Sequence, residues 1–569
     1  MLGSLLLSQK GKPKTVSAHI EDLPTEVMLM ILHQVVGADS TTDPEYSFDP
    51  ILSSLCLVNR RWNGIFTPQL YAHYDFKNNP DEFGSFWCFL RTLVTRPDIA
   101  QHVRQLTLHK NLFPAVSLDG KKVRRIKDHY DGNSPWLETA FSQAGWNEPY
   151  INRSRWGLGL AQQDQNDATL AEMARKVISN DFPSFVDKGH ITTDNSYHKS
   201  YRFPLFALVI AHCPRLRRLS TPVHLVDPFL DEVLYWATYG ATGPNRPKEI
   251  GLQELESLSL QREESFGCSP DAGFVVHSSR KPVCARPYYR LPQLKQLDTD
   301  ETFKDRGVFD DVKKPYQSDI QELTAQYPKE ILSLPNGTLL SRISNLRSLS
   351  LSLAPCAKPA SHSTIINHYS QLWNCLSHFR DTLEYLDIDT DTDLQHFIQT
   401  YGIQIPGEED HPFCPPLAKF TKLKYLASTP LLLYGNRCHH EPPSKIPAHL
   451  PKSLVALGLY CELSMPDLMP GQPGGATARR LFEEELIQIL TAGSANGLRA
   501  LIVDHTRSCF KDHNDSLESV ALAAQHMGVK FICAARGPSL GLEKQPVPSY
   551  PLHGGLWIRV PLFGWMTVR

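Results

Sequence analysis

No apolar run in these 569 residues approaches the ~20 residues of a membrane-spanning helix, so no membrane partner is expected. Charge of one sign is not in excess either. The formal net charge is −2, without the basic surplus that general nucleic-acid binding needs, so no nucleic-acid partner is expected. Paired cysteines are missing. The twelve present are scattered without tight spacing and read as reduced, mostly buried thiols of an intracellular protein. The opening MLGSLLLSQKGKPK puts its apolar residues before its lysines, the reverse of a secretory signal. Residues 1–18 are expected to be a disordered tail. Asn152, Asn336 and Asn514 each head an N-x-S/T triplet, which carries no glycan inside a cell.

Catalytic motifs are lacking as well. There is no G-x-S-x-G elbow, no Walker A loop and no H-E-x-x-H. Gly157 and Gly159 come nearest to a dinucleotide loop, but the third glycine is absent and no strand precedes them. His411 and Cys414, then Cys438, His439 and His440, have metal-capable side chains at spacings that zinc sites rarely use. The expectation is a non-catalytic protein with neither cofactor nor metal. At 41% hydrophobic and 21% charged residues, the composition is that of a soluble globular chain.

What the chain does have is concentrated first between residues 20 and 66. LPTEVMLMIL, Leu23 to Leu32, opens a helix, with Pro24 in the first turn and Asp22 and Glu26 at its positive end. Leu23, Val27, Ile31 and Val35 recur every four residues, and Met28, Leu32 and Val36 run beside them. LSSLCLVNRRW, Leu52 to Trp62, continues the pattern with Ile51, Leu55, Val58 and Trp62 at helical spacing. Fewer than about 50 residues cannot bury a self-sufficient core, so the module needs other protein to cover its apolar side.

The order Leu-Pro-x-Glu-Val, Ile-Leu, Leu-x-Leu-Val-Asn-Arg-Arg-Trp resembles an F-box over Ile20 to Phe66. One departure is a loop-like insert from Ala38 to Pro50, rich in Asp, Ser, Thr and Pro. An ordinary helical hairpin of a larger core has the same periodicity. The resemblance implies docking on an SKP-type adaptor, and through it on a cullin–RING scaffold. Leu23, Pro24, Ile31, Leu32, Val58 and Trp62 match the family's adaptor-facing or core positions; the sequence does not separate the two roles.

Beyond residue 66 the signal is repetition. Phe83, Phe86, Trp87, Phe89 and Leu90 mark a helix within a helical linker over 67–100. A segment of the form apolar-x-x-apolar-x-apolar then recurs, its third apolar position sometimes lapsing. It starts at Val103, Leu216, Leu255, Leu294 and Leu346, then at Leu383, Leu423, Leu454, Leu498 and Val529. Helix-like stretches precede several of them, so the unit reads as helix, turn, short strand. This resembles a degenerate leucine-rich-repeat array over 101–569, with a polar insertion at about 110–200. From Leu216 onward the spacing runs from 31 to 52 residues, longer than the ~20–29 of that repeat. An unrelated α/β domain is the other reading. The 43 prolines cluster between units as loop punctuation. The apolar stretch 556–568 is expected to cap the array.

The expected fold class is therefore α/β: a helical F-box followed by an irregular solenoid of parallel strands alternating with helices. An F-box joined to a repeat array implies a substrate-recognition subunit of an SCF-type ubiquitin ligase, in the cytoplasm, the nucleus or both. The competing expectation is a scaffold or receptor that uses the adaptor without ubiquitinating a target. Target contacts are expected on outward strand residues, with Glu384, Asp387, Asp389 and Asp391 forming an acidic patch for a basic segment. That run also has the oxygen ligands of a cation site. The run Lys121–Lys127, with five basic residues in seven, matches a nuclear-import signal.

Overall fold

The structure is a computed structural model. It describes residues 23–37, 49–76, 83–109, 134–147, 169–176, 178, 202–223, 228–239, 251–262, 288–299, 317–326, 339–353, 372–390, 417–429, 433, 450–460, 475–495, 497–505, 517–535, 556–560 and 564–568. The chain forms two compact units, residues 1–74 and 75–569.

The first unit holds three helices, α1 (Thr25–Gly37), α2 (Asp49–Cys56) and α3 (Arg60–Leu70). The second motif stretch is thus two helices and a turn. Leu57 N and Val58 N donate back to Ser54 O and Leu55 O, closing α2. Asn59 then takes an extended conformation, and its Oδ1 accepts from Trp62 N at 2.9 Å. This is the cap that a helix needs for its unpaired N–H groups. Asn63 Nδ2 ties α3 to Cys56 O at 3.1 Å. Met28, Leu52, Cys56 and Phe66 form the core, with Leu23, Leu29, Leu55, Trp62, Ile65 and Leu70 packed against it.

The second unit is built on one twelve-stranded sheet whose order is the chain order. Its strands are β1 (His73–Phe76), β2 (Gln105–Leu108), β3 (Arg218–Val223), β4 (Ser257–Arg262), β5 (Gln296–Thr299) and β6 (Glu322–Gln326). They continue as β7 (Ser348–Leu353), β8 (Tyr385–Thr390), β9 (Tyr425–Ser428), β10 (Ala456–Tyr460), β11 (Ala500–His505) and β12 (Lys530–Ala535). The unit boundary falls within β1. Every pair from β2 to β12 is parallel. A doubly wound sheet reverses its strand order at a switch point. This sheet never does, which is the arrangement of stacked repeats.

Helices alternate with the strands. They are α4 (Phe83–Thr95), α5 (Pro97–Ala100), α6 (Pro135–Gln143), α7 (Arg202–Ala211) and α8 (Pro228–Tyr239), then α9 (Leu339–Arg342), α10 (Gly475–Ala495) and α11 (Glu518–His526). Parallel neighbours require such crossovers. Phe86 of α4 packs on Phe76 at 4.6 Å and on Phe206 of α7 at 5.6 Å.

A column of leucines fixes the register. Leu106, Leu219, Leu258, Leu297 and Leu323 are successive partners from β2 to β6. Leu349, Leu386, Leu426, Leu457 and Leu501 continue it to β11. All ten are buried. A second buried column lies three residues earlier, from Val103 through Leu216 and Leu346 to Leu498. Where the third apolar position lapses, Thr221, Thr299 and Ser428 are buried in its place.

Four details depart from the sequence reading. The stretch 67–100, expected as a helical linker, contains β1, so the sheet begins before residue 101. The gap between the segments at Leu294 and Leu346 contains a strand: Ile320, Leu323 and Ala325 form the unit of β6. Alanine at the third position hid it. The last segment is shifted by one residue, because Phe531 takes the leucine column and Ile532 the opposite face. The interval 110–200 also contributes to the core. Leu137, Phe141, Trp146 and Leu170 are fully buried, and Phe141 stacks on Trp146 at 5.8 Å. Arg175 grips Glu138 with two bonds of 2.6 and 2.9 Å, which holds the Glu138 carboxyl below its usual range. Residues 1–18, 38–48 and 110–133 lie outside the described residues, as does most of each proline cluster. Leu556–Val560 and Gly564–Val568 form β13 and β14, an antiparallel pair separate from the large sheet.

Candidate docking face

Among the described residues, seven large apolar side chains are exposed, and all but Leu522 lie in the first unit. On α1 they are Val27, Met30 (66%) and Ile31. On α2 and in the turn after it they are Ile51, Leu57 (84%) and Val58 (56%). Single exposed apolar residues are ordinary; their gathering on one small unit makes that unit the candidate docking surface.

The helices explain the exposure. On α1 Met28 is buried in the small core, while Val27 and Ile31 are exposed. At the start of α3, the residue before the cap would normally pack on the fourth helical residue. Here those positions are Val58 and Asn63, so Val58 finds no apolar partner there. The guanidinium of Arg61, in the first turn of α3, donates to Leu23 O just before α1.

The six motif residues separate accordingly. Pro24, Ile31 and Val58 are exposed, and Leu23 and Trp62 are half-buried against the core. Trp62 lies edge-on to Phe66 at 5.6 Å, so it supports the unit from within. Leu32 falls in α1, but its side chain lies outside the described residues. Met30 and Leu57 were missed. For Leu57 the signal was legible: it is an apolar residue two before an Asn cap, with no turn left to bury it.

The expected acidic patch is corrected. Asp387 is fully buried, and Ser350 and Tyr425 on the same face of the sheet are buried with it. From β8 to β11 the face opposite the leucines is an apolar cluster of Tyr385, Tyr425, Ala427, Ala456, Tyr460, Ala500 and Ile502. Alternation does place these residues opposite the leucines, but that face is covered too. Asp387 accepts from Tyr460 Oη at 2.6 Å and Ser350 Oγ at 3.3 Å. Glu384 is half-buried and paired with Lys424 at 2.7 Å. Asp389 ends in β8 with its side chain outside the described residues, and Asp391 lies wholly outside them.

The basic run 121–127, Gly157, Gly159 and the His/Cys positions between 411 and 440 also lie outside the described residues. Among the described residues no group of three His, Cys, Asp or Glu is placed to hold a metal. No helix among them is long and apolar enough to cross a membrane. No family model, no curated protein and no solved structure matches this chain.

Proposed function

We propose that the first unit is an F-box-type docking module, and that the chain is a substrate-recognition subunit of an SCF-type ubiquitin ligase. The observation that carries this reading is the exposure of Met30, Ile31, Leu57 and Val58 on a unit whose sequence already resembles that family. An SKP-type adaptor covers this face and links the chain to a cullin–RING scaffold. The second unit then presents a target near the charged ubiquitin carrier. Its contribution is proximity, which raises effective concentration without bond chemistry of its own.

The test is capture of purified SKP-type adaptor by the full chain, with and without the cullin–RING assembly. Adaptor binding that extends to the cullin supports the ligase reading. Adaptor binding that excludes the cullin leaves a receptor without ubiquitination, and no adaptor binding removes the proposal.

A further inference from the structure

One column of side chains stands immediately before the strands. Backbone bonds align it. Glu256 N donates to Arg217 O, and Lys295 N to Glu256 O. The same step runs on through Gln321, Arg347, Glu384, Lys424 and Val455 to Arg499, each at 2.7 to 2.9 Å. The step also joins Arg217 N to half-buried Arg104 O before it and exposed Lys530 N to Arg499 O after it. Between these two ends its chemistry alternates. Arg217, Lys295, Arg347, Lys424 and Arg499 precede the odd strands β3 to β11, and all five are exposed. Glu256, Gln321, Glu384 and Val455 precede the even strands and are half-buried.

Neighbouring strands lie about 4.8 Å apart, so the cations recur about every 9.6 Å. Among the described residues, only Lys424 of the five closes an ion pair, with Glu384. Internal pairing therefore does not consume the row. The charge is densest at β3, where exposed Arg215 and Arg218 flank Arg217. Half-buried Arg104 is engaged by Glu254 at 3.6 Å.

A chain whose anions share this period would match the row. A polyproline-II segment advances about 9.3 Å in three residues and returns each third side chain to the same side. A β-strand would turn the third residue to the opposite face. A nucleic-acid backbone carries phosphates too closely and would bring them against Glu256 and Glu384. We propose that this row of cations docks an acidic polyproline-II segment of another protein, with Asp or Glu at every third position. The proposal stands apart from the adaptor reading and uses none of its residues.

The experiment is fluorescence anisotropy with the full chain and a labelled Glu-Pro-Pro repeat peptide of about six repeats. A peptide of the same composition with its glutamates gathered at one end is the periodicity control. A single-stranded oligonucleotide is the control for nucleic acid. The periodic peptide should bind most tightly and weaken as salt rises from about 0.05 to about 0.5 M. Lys295→Glu with Arg347→Glu should weaken it about tenfold with melting temperature and adaptor capture unchanged. Lys295→Gln with Arg347→Gln serves if charge reversal impairs folding. Equal binding of the clustered peptide, tighter binding of the oligonucleotide, unaltered affinity in the folded variant, or no peptide binding would each overturn the proposal.

Discussion

The Tyr460 hydroxyl on β10 donates to Oδ1 of Asp387 on β8 at 2.6 Å, reaching across β9. Ser350 on β7 and Tyr385 add hydroxyls to Oδ2 at 3.3 and 3.5 Å. A carboxylate with no exposed surface is costly unless such donors surround it. Tyr460→Phe should therefore lower stability by about 1.5–3 kcal/mol. Urea unfolding measures it; an unchanged midpoint would show that the bond contributes nothing.

Gly458 lies beside the hydroxyl of Tyr425, whose ring stacks on that of Tyr385 at 4.4 Å. A Cβ at position 458 would come 2.9 Å from Ala427 Cβ and 3.4 Å from Tyr425 Oη. Gly458→Ala should destabilise by about 1–3 kcal/mol. Ala427→Gly in the same chain should recover part of the loss by removing the facing methyl. A double variant no more stable than Gly458→Ala would place the strain elsewhere.

Leu386 and Leu457 occupy one buried column two strands apart. Truncation of either to Ala should cost about 2–5 kcal/mol, through lost burial and the cavity left behind. Denaturant titration monitored by circular dichroism decides it. A loss below about 0.5 kcal/mol at both positions would contradict a continuous core.

Leu57→Asp with Val58→Asp changes two exposed side chains. Melting temperature should stay unchanged while adaptor capture is lost. Trp62→Ala should behave differently, lowering the melting temperature because Trp62 packs inside the unit. Retained capture by the aspartate variant would remove this face from the docking model.

His212 lies between Leu208 O at 2.8 Å and Gln143 Oε1 at 3.0 Å. Burial lowers its pKa below the ordinary imidazole value, and the Leu208 carbonyl opposes the shift in part. Protonation thus favours the unfolded chain. The stability held by neutral His212 is complete above pH about 6.5 and falls as the pH drops below it. His212 is half-buried, which moderates the effect. His212→Gln should flatten stability against pH between about 5 and 7; an unaltered slope would assign the dependence to other groups.

The sequence by itself determined the repeating unit. Ten segments mark ten of the twelve strands, the last of them one residue out of register, and periodicity depends only on the local chain. It did not separate the exposure of Val58 from the packing of Trp62, since both fall in one apolar helical pattern. The unit at Ile320 escaped notice because Ala325 is too weakly apolar to signal a strand, although a small buried residue fits there.

Only tertiary structure decided the rest. Unbroken strand order distinguished a stacked array from a doubly wound sheet, since each strand's neighbour is a long-range fact. The fate of Asp387 was decided the same way. Its alternation says opposite the leucines; it cannot say that Tyr460, 73 residues later, would reach back and enclose it. The cation row likewise exists only because parallel register sets distant residues side by side, at a spacing fixed by the backbone bonds between strands.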